Sequence, residues 1–198
     1  MQDEKSQRRS NRERTEATRA ALLDAARKLF VEKSYAETGT PEIVAAAGVT
    51  RGALYHHFAD KQALLRAVVE AESQAVADEV EKAAPVSLAP LDALRVGSAA
   101  FLAAMTPPGR TRLLLLDGPA VLGRAGMDEI ESRHGGRTLR EGLTAAMEDG
   151  AIRRLPVDAL AAQLSAAFDR AALAIEAGAR SEDHAEVLSA LLTGLSDQ

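Results

Sequence analysis

Five closely spaced side chains have the chemistry to contact a nucleic acid. Arg51 can donate hydrogen bonds to guanine or to phosphate, and the methyl group of Ala53 can contact that of thymine. Tyr55, His56 and His57 can donate to phosphate oxygens. This combination favours recognition of double-stranded DNA, because it mixes groups that read base edges with groups that bind the backbone.

Two short helices separated by a glycine turn would present these groups. Thr40 is placed to cap the first helix, with Pro41 at its first position and Glu42 near the positive end of its dipole. Gly48 then permits the left-handed turn that other residues resist, and Val49 fills the corner. A short turn of this kind between two helices is the signature of a helix-turn-helix unit.

The second helix of the unit needs its own cap and its own anchors. Thr50 is predicted to be the cap, and Leu54 and Phe58 lie four residues apart on one face, which we expect to pack into the core. Gly52 would let the helix approach DNA closely. The helix is therefore predicted to bury one side and to expose its polar side.

The flanking segments complete a DNA-binding layout. An amphipathic helix is predicted over residues 18–33, and the basic stretch before it contains Arg12 and Arg14, which we expect to reach phosphate or the minor groove. After the unit, Asp60 is predicted to cap a further helix. That helix begins with Lys61, whose ammonium group would lie where a phosphate is welcomed.

At this point the chain resembles the TetR family of bacterial transcriptional repressors over roughly residues 15–75. The resemblance is carried by Tyr35, Thr38, Thr40, the run VAAAGVTRGALYHHF at 44–58, and KQALLRAVVE at 61–70. It implies an all-α protein with an N-terminal three-helix DNA-binding domain and a C-terminal helical bundle, about nine helices altogether. It also implies a homodimer that binds a palindromic operator and responds to a small-molecule effector.

Two positions depart from the family pattern. Ser34 stands where the family usually has glycine, so the first helix is expected to end differently. Ala53 stands where relatives often have threonine or serine, which removes one hydroxyl from the DNA-reading surface. Neither departure changes the predicted fold, but both limit the transfer of a relative's operator sequence to this chain.

The chain divides by pattern into an arm at 1–15, a DNA-binding domain at 16–76 with its helix-turn-helix motif at 39–58, and a body at 77–198. The helix predicted over 61–82 starts in one domain and ends in the other, so it is placed to transmit motion between them. Body helices are predicted over 91–105, 110–116, around Met127, and over 138–149, 157–177 and 182–195. The breaks between them are predicted at APVSLAP, TPPG, DGP, HGG and LP.

The last two helices carry two apolar stripes. A helix stripe packs either into the body's own core or against a partner, and the resemblance implies a four-helix dimer interface here. The stripes are Leu160, Leu164, Phe168, Ala171 and Ile175, then Val187, Leu188, Leu191, Leu192 and Leu195.

The resemblance also implies an effector site inside the body. Most side chains in that region have the types that simply fill a core, and Asp117 stands out among them because it follows four leucines. The candidate lining is Val69, Phe101, Met105, Leu114, Leu115, Asp117 and Phe168, with His134 and Asp169 as weaker candidates.

Charge and composition are compatible with this assignment. Residues 1–61 carry 11 Lys/Arg against 9 Asp/Glu, whereas residues 62–198 carry 13 against 20, so an acidic body follows a mildly basic head. The chain has no cysteine and no apolar run long enough to span a membrane, so we expect a soluble cytoplasmic protein.

Enzyme chemistry finds no support in the sequence. No phosphate-binding glycine loop, nucleophile elbow or metal-ligand spacing is present, so no catalytic residue, metal or cofactor is predicted. Adjacent histidines on a helix point about 100 degrees apart, so His56 and His57 cannot chelate one ion together. The alternative that remains open is a DNA-binding module whose body docks a protein partner instead of a small molecule. The sequence does not decide whether the body binds a small molecule or a protein. It also does not decide whether the protein represses or activates transcription.

Overall fold

The computed structural model describes residues 2–85 and 87–196, with side chains from residue 12 onward. These residues form nine helices and no strand, in two compact units that divide between Val69 and Glu70. The helices are α1 (Gln2–Lys33), α2 (Thr40–Ala47), α3 (Arg51–His57), α4 (Lys61–Ala83), α5 (Pro90–Ala104), α6 (Arg110–Arg112, Leu113–Asp117 and Gly118–Arg133 in succession), α7 (Gly135–Glu148), α8 (Val157–Glu176) and α9 (Ser181–Thr193).

In the first unit, α1 packs against α2 and α3, and α2 packs against α3. The helix predicted over 18–33 is longer than expected, because its backbone continues through the basic arm to Gln2. The buried apolar side chains of this unit include Leu22, Ala26, Phe30, Ile43, Leu54, Phe58, Leu64, Leu65 and Val68.

The loop between α1 and α2 is held by polar contacts. Thr38 is buried, and its hydroxyl donates to the carbonyl of Ser34 at 2.7 Å. Ser34 ends α1 with φ of 82°, the only positive φ among the described residues other than glycine. A side chain in this left-handed conformation costs about 1–2 kcal/mol. The expectation that α1 ends differently without glycine is therefore wrong, because serine adopts the left-handed backbone conformation that glycine would adopt freely.

The start of α2 corrects one prediction. Gly39, not Thr40, is the capping residue, and Thr40 is the first residue of the helix. The Glu42 carboxylate accepts a hydrogen bond from the Gly39 backbone N–H at 3.2 Å. It also pairs with Lys33 at 2.6 Å. The side chain of Glu42 therefore reaches back over the free end of the helix, and the hydroxyl of Thr40 is available for another contact.

In the second unit, α9 packs against α5 and α8, while α7 packs against α5, α6 and α8. Their core includes Leu94, Leu102, Leu143, Ile152, Leu164, Phe168, Leu188 and Leu192. Arg110 is buried among the helices, and its guanidinium donates to Glu72 at 2.7 Å and to Glu79 at 3.0 Å. This ion-pair network joins the beginning of α6 to the body segment of α4.

The predicted break at DGP is wrong. The helix predicted over 110–116 continues through a π-helical turn at Leu113–Asp117 and past Gly118. The interruption before the part of α6 around Met127 falls instead at Gly123, whose φ of 71° and ψ of 170° are not helical. The wider turn accommodates Pro119, which has no N–H to donate back along the helix. A Cβ at Gly118 would lie 2.9 Å from the Leu113 carbonyl oxygen, so the path requires glycine there. The other predicted breaks fall between helices.

None of the described helices is long and apolar enough to cross a membrane.

The left-handed conformation of Ser34 generates a stability prediction. Ser34→Gly should raise the free energy of unfolding by about 0.5–1 kcal/mol, because relief of backbone strain exceeds the added chain entropy of glycine. Urea unfolding followed by circular dichroism measures the change. Ser34→Ala keeps the strain and loses a 3.5 Å contact with the Glu37 N–H, so it should be no more stable than wild type. Equal stability of the glycine and alanine variants would contradict the strain argument.

Candidate nucleic-acid interface

The turn between α2 and α3 is fixed by its backbone hydrogen bonds. Gly48 adopts φ of 65° and ψ of 29°, and its N–H donates to the Ala45 carbonyl at 3.2 Å. The N–H of Val49 reaches back to the Val44 carbonyl at 3.1 Å. These two bonds form a Schellman motif, which satisfies the last carbonyls of α2 and turns the chain sharply.

The start and anchors of α3 agree with the sequence. The Thr50 hydroxyl accepts a hydrogen bond from the Ala53 N–H at 3.2 Å, so Thr50 is the predicted cap. Leu54 and Phe58 are 0% and 5% exposed, so one face of α3 lies in the core. Arg51, Gly52, Tyr55 and His56 are exposed, and Ala53 and His57 are half-buried.

Tyr55 is the centre of the exposed face. Its hydroxyl is hydrogen-bonded by Arg51 and by Thr40, and these bonds lower the pKa of the phenol. The Arg51 guanidinium carbon also lies 5.5 Å from the centroid of the Tyr55 ring. Thr40 therefore contributes to the surface through Tyr55 and not as a cap. The three side chains therefore form one cluster at the protein surface.

The two histidines lie side by side at the end of α3. Their ring centroids are 5.3 Å apart in an edge-on arrangement, and no cluster suited to a metal occurs among the described residues. Partial burial lowers the pKa of His57, and the nearby charges of His56 and Arg19 lower it further. His57 is therefore a neutral hydrogen-bonding group at pH 7.

Lys61 has a structural role that the sequence did not reveal. Its ammonium group donates to the carbonyls of Tyr35 and Thr38 at 2.9 and 3.0 Å, and it lies 4.2 Å from the centroid of the Tyr35 ring. The prediction that Asp60 caps this helix is correct, since its carboxylate accepts from the Ala63 N–H at 2.7 Å. Two of the three N–H groups of Lys61 already donate to the α1–α2 loop, which leaves one for a phosphate. The phosphate contact by Lys61 stays a prediction.

The predicted arm residues are exposed. Arg12 pairs with Glu16 one helical turn away at 2.8 Å, so a phosphate would have to compete with that carboxylate. Arg14 is exposed on the same helix.

The predicted effector residues of the body are mostly packed. Phe168 belongs to the core, and its ring centroid lies 5.5 Å from that of Phe101, which packs against the core. Met105 and Leu114 are buried. Val69 is buried in the first unit, at its last residue. Leu114, Leu115 and Asp117 all lie on the π-helical turn of α6, which the sequence could not show.

Three polar groups are buried or half-buried in the body. Asp117 lies 3.3 Å from Arg112 as an ion pair. His134 is 8% exposed and lies 3.6 Å from the Glu70 carboxylate. The hydroxyl of Ser165 donates to Glu131, and burial, followed by the charge of Glu131, raises the pKa of Asp169 to about 7.

The residues of the two predicted interface stripes fall into an exposed group and a group that packs in or against the protomer's own core. Val187 and Leu191 are exposed on α9, at 58% and 49%. Leu160 and Ile175 pack partly against the protomer's own core. The remaining residues, Leu164, Phe168, Ala171, Leu188, Leu192 and Leu195, are buried in that core.

Both units resemble known proteins. Residues 22–68 match the model of the bacterial regulatory proteins of the tetR family, and residues 91–197, more than half of the chain, match a tetracyclin repressor-like C-terminal domain. A TetR-family transcriptional regulator of Pectobacterium atrosepticum has a solved structure with 32% identity and a TM-score of 0.75. The match covers 94% of this chain and 98% of that one.

Two curated relatives match over shorter regions. The HTH-type transcriptional regulator AcrR of Shigella flexneri is 35% identical over 108 residues, which is 54% of this chain and 50% of AcrR. The HTH-type transcriptional regulator TtgR of Pseudomonas putida is 39% identical over 62 residues, which is 31% of this chain and 30% of TtgR. The chain therefore spans half or less of the length of these relatives.

The half-buried carboxyl group of Asp169 makes stability depend on pH. Its pKa is 3.8 in the unfolded reference and about 7 when folded, so the folded state holds a proton that the unfolded chain releases. This stabilisation is complete below pH 3.8 and is lost as pH rises to about 7, by up to about 1.4 kcal/mol per pH unit. Asp169→Asn should remove this slope and should be more stable than wild type at pH 8. Urea unfolding between pH 5 and 8 measures both effects.

The matched control is Asp158→Asn at the exposed start of α8, which should retain the wild-type slope. Parallel stability curves for wild type and Asp169→Asn would show that Asp169 is ionised in the folded protein throughout this range.

Proposed function

The chain belongs to the TetR family of bacterial regulatory proteins, and on that premise we propose that it is a homodimeric repressor released from DNA by a small molecule. Two copies of α3 would occupy successive major grooves of a palindromic operator. Members of this family are transcriptional regulators and not enzymes. The dimer, the palindrome and the effector are the parts that this proposal adds.

One observation carries the DNA-binding part of the proposal, namely the exposed contact among Thr40, Arg51 and Tyr55. Arginine presents a fixed fork of donors that matches guanine or phosphate. A guanidinium already held against Tyr55 loses less conformational entropy on binding than a free one. The packing of Leu54 and Phe58 fixes the direction in which this surface faces.

The dimer is supported by the exposed residues of α9. Val187 and Leu191 lie four residues apart, so they share one face and form an apolar stripe one helical turn long. An exposed apolar stripe next to a well-packed core favours contact with an identical stripe across a two-fold axis. Such a dimer would match palindromic half-sites about one helical turn of DNA apart.

The effector is supported by the irregular part of α6. Leu114, Leu115 and Asp117 lie on its π-helical turn, and such turns occur frequently at functional sites. The match of 91–197 to a tetracyclin repressor-like domain agrees with a body that senses a small molecule. The effector must bind the non-DNA conformation more tightly by the same factor by which it weakens operator binding. The helix α4, which extends from the first unit into the second, is the element proposed to transmit the change.

Binding to a duplex selected by the wild-type protein from a random pool tests this function. Arg51→Ala should weaken binding to the selected duplex by about 10-fold or more, because a bidentate contact is lost. Tyr55→Phe removes only the hydroxyl, so it should also weaken binding, by releasing Arg51 and Thr40. Fluorescence anisotropy at physiological salt measures both affinities.

The matched control is Arg124→Ala, which removes the same charge from an exposed position in the body and should bind like wild type. If Arg51→Ala and Tyr55→Phe both bind the selected duplex as tightly as wild type, α3 is not the reading helix.

A further inference from the structure

Arg19 lies beside the end of α3 although it belongs to α1. Its guanidinium carbon is 5.4 Å from the centroid of the Phe58 ring, and Phe58 is the residue that ends α3. Phe58 is 5% exposed, whereas Arg19 is exposed. The buried ring therefore provides a platform on which a cation is held at the protein surface.

The hydrogen-bonding edge of Arg19 is open to a ligand. Among the residues with described side chains, no carboxylate lies within ion-pair distance of its guanidinium, whereas Arg12, Lys28 and Lys33 on the same helix each pair with a glutamate. Contact with an aromatic ring occupies the flat face of a guanidinium and leaves its N–H groups free. An exposed arginine that is held in place but has no anionic partner is suited to bind an anion.

The position of Arg19 relates to the size of the DNA groove. The seven residues of α3 span about 10 Å, and the major groove is about 12 Å wide between its phosphate strands. Arg51 stands at the first residue of α3, and Arg19 stands beside its last turn. With α3 in the major groove, the cations at its two ends would lie near the phosphates that border the groove.

We propose that Arg19, held on the Phe58 ring, binds a DNA backbone phosphate at the C-terminal end of α3. This inference rests on the proposed function, and it adds a contact from α1 that no motif in the sequence indicates. Because phosphates are present in every duplex, Arg19 contributes affinity and orientation but not sequence preference. The charge of Arg19 is one of the causes that lower the pKa of His57. His57 is neutral at pH 7, so it does not compete with Arg19 as a cation for the phosphate.

The test is a salt titration of binding to the selected duplex and to an unrelated duplex of equal length. Arg19→Ala should weaken binding to both duplexes by a similar factor, about 10-fold for a dimer. A plot of the logarithm of the binding constant against the logarithm of the salt concentration has a negative slope. The magnitude of this slope should decrease by about 0.9 for each lost contact, hence by about 1.8 for a dimer. Arg19→Lys keeps the charge but replaces the planar guanidinium with an ammonium group, so its slope should stay near wild type while its affinity is intermediate.

Lys28→Ala is the matched control. Lys28 is nine residues from Arg19 and therefore on the opposite side of α1, where it lies 4.0 Å from Glu32. Its removal should leave both the slope and the affinity unchanged. Circular dichroism of each variant checks that the fold is retained.

Each remaining outcome has one meaning. An unchanged salt slope for Arg19→Ala, with or without a loss of affinity, would overturn the proposed phosphate contact, since a loss without a slope change reflects displacement of α3. A loss confined to the selected duplex would overturn it as well, because it would make Arg19 a base-reading residue. If wild type itself bound neither duplex, the proposed function would fail before Arg19 came into question.

Discussion

The function proposed for this protein depends on α3, a helix that is too short to be stable in isolation. The seven residues of α3 are about half of what an isolated helix needs to be even marginally stable in water. Its order therefore comes from its surroundings, namely the Thr50 cap, the Gly48 turn, and the buried side chains of Leu54 and Phe58. Burial of side chains of this size stabilises by about 1.5–3 kcal/mol each, whereas a cap contributes about 1 kcal/mol. Packing is thus the larger effect, and the cap and turn determine the direction of the helix.

The loop between α1 and α2 shows how the scaffold is kept in register. Lys61 crosses from α4 to two carbonyl groups of this loop and also contacts the ring of Tyr35. Hydrogen bonds to a charged donor contribute about 1.5–3 kcal/mol, which exceeds the 1–2 kcal/mol cost of the left-handed Ser34 in the same loop. The loop therefore keeps its shape without a glycine at position 34. The main role of Lys61 in this structure is therefore to hold the α1–α2 loop.

Patterns among neighbouring residues predicted much of this structure, whereas contacts between residues distant in the sequence could not be predicted. The Thr50 and Asp60 caps and the Gly48 turn are determined within a few residues, so the sequence revealed them. The cap of α2 was misplaced by one residue because Gly39 and Thr40 are both acceptable capping residues. Glycine followed by proline at 118–119 predicts a break between helices, whereas the chain continues there through a π-helical turn. The stripes of α8 and α9 could not be divided, because helical periodicity does not distinguish a protein's own core from a partner. Arg19 and Phe58 are 39 residues apart, and nothing local links them.

The central claim is that two copies of α3 enter the major groove, and site-directed cleavage of DNA tests it most directly. The chain has no cysteine, so a single cysteine at His56 can carry an iron chelate that cuts nearby DNA strands. On a duplex selected by the wild-type protein, the account predicts two clusters of cuts related by two-fold symmetry and about one helical turn apart. A cysteine at Glu37, outside α3, should give little cleavage. Equal cutting from both positions, or a single cluster from His56, would contradict the account.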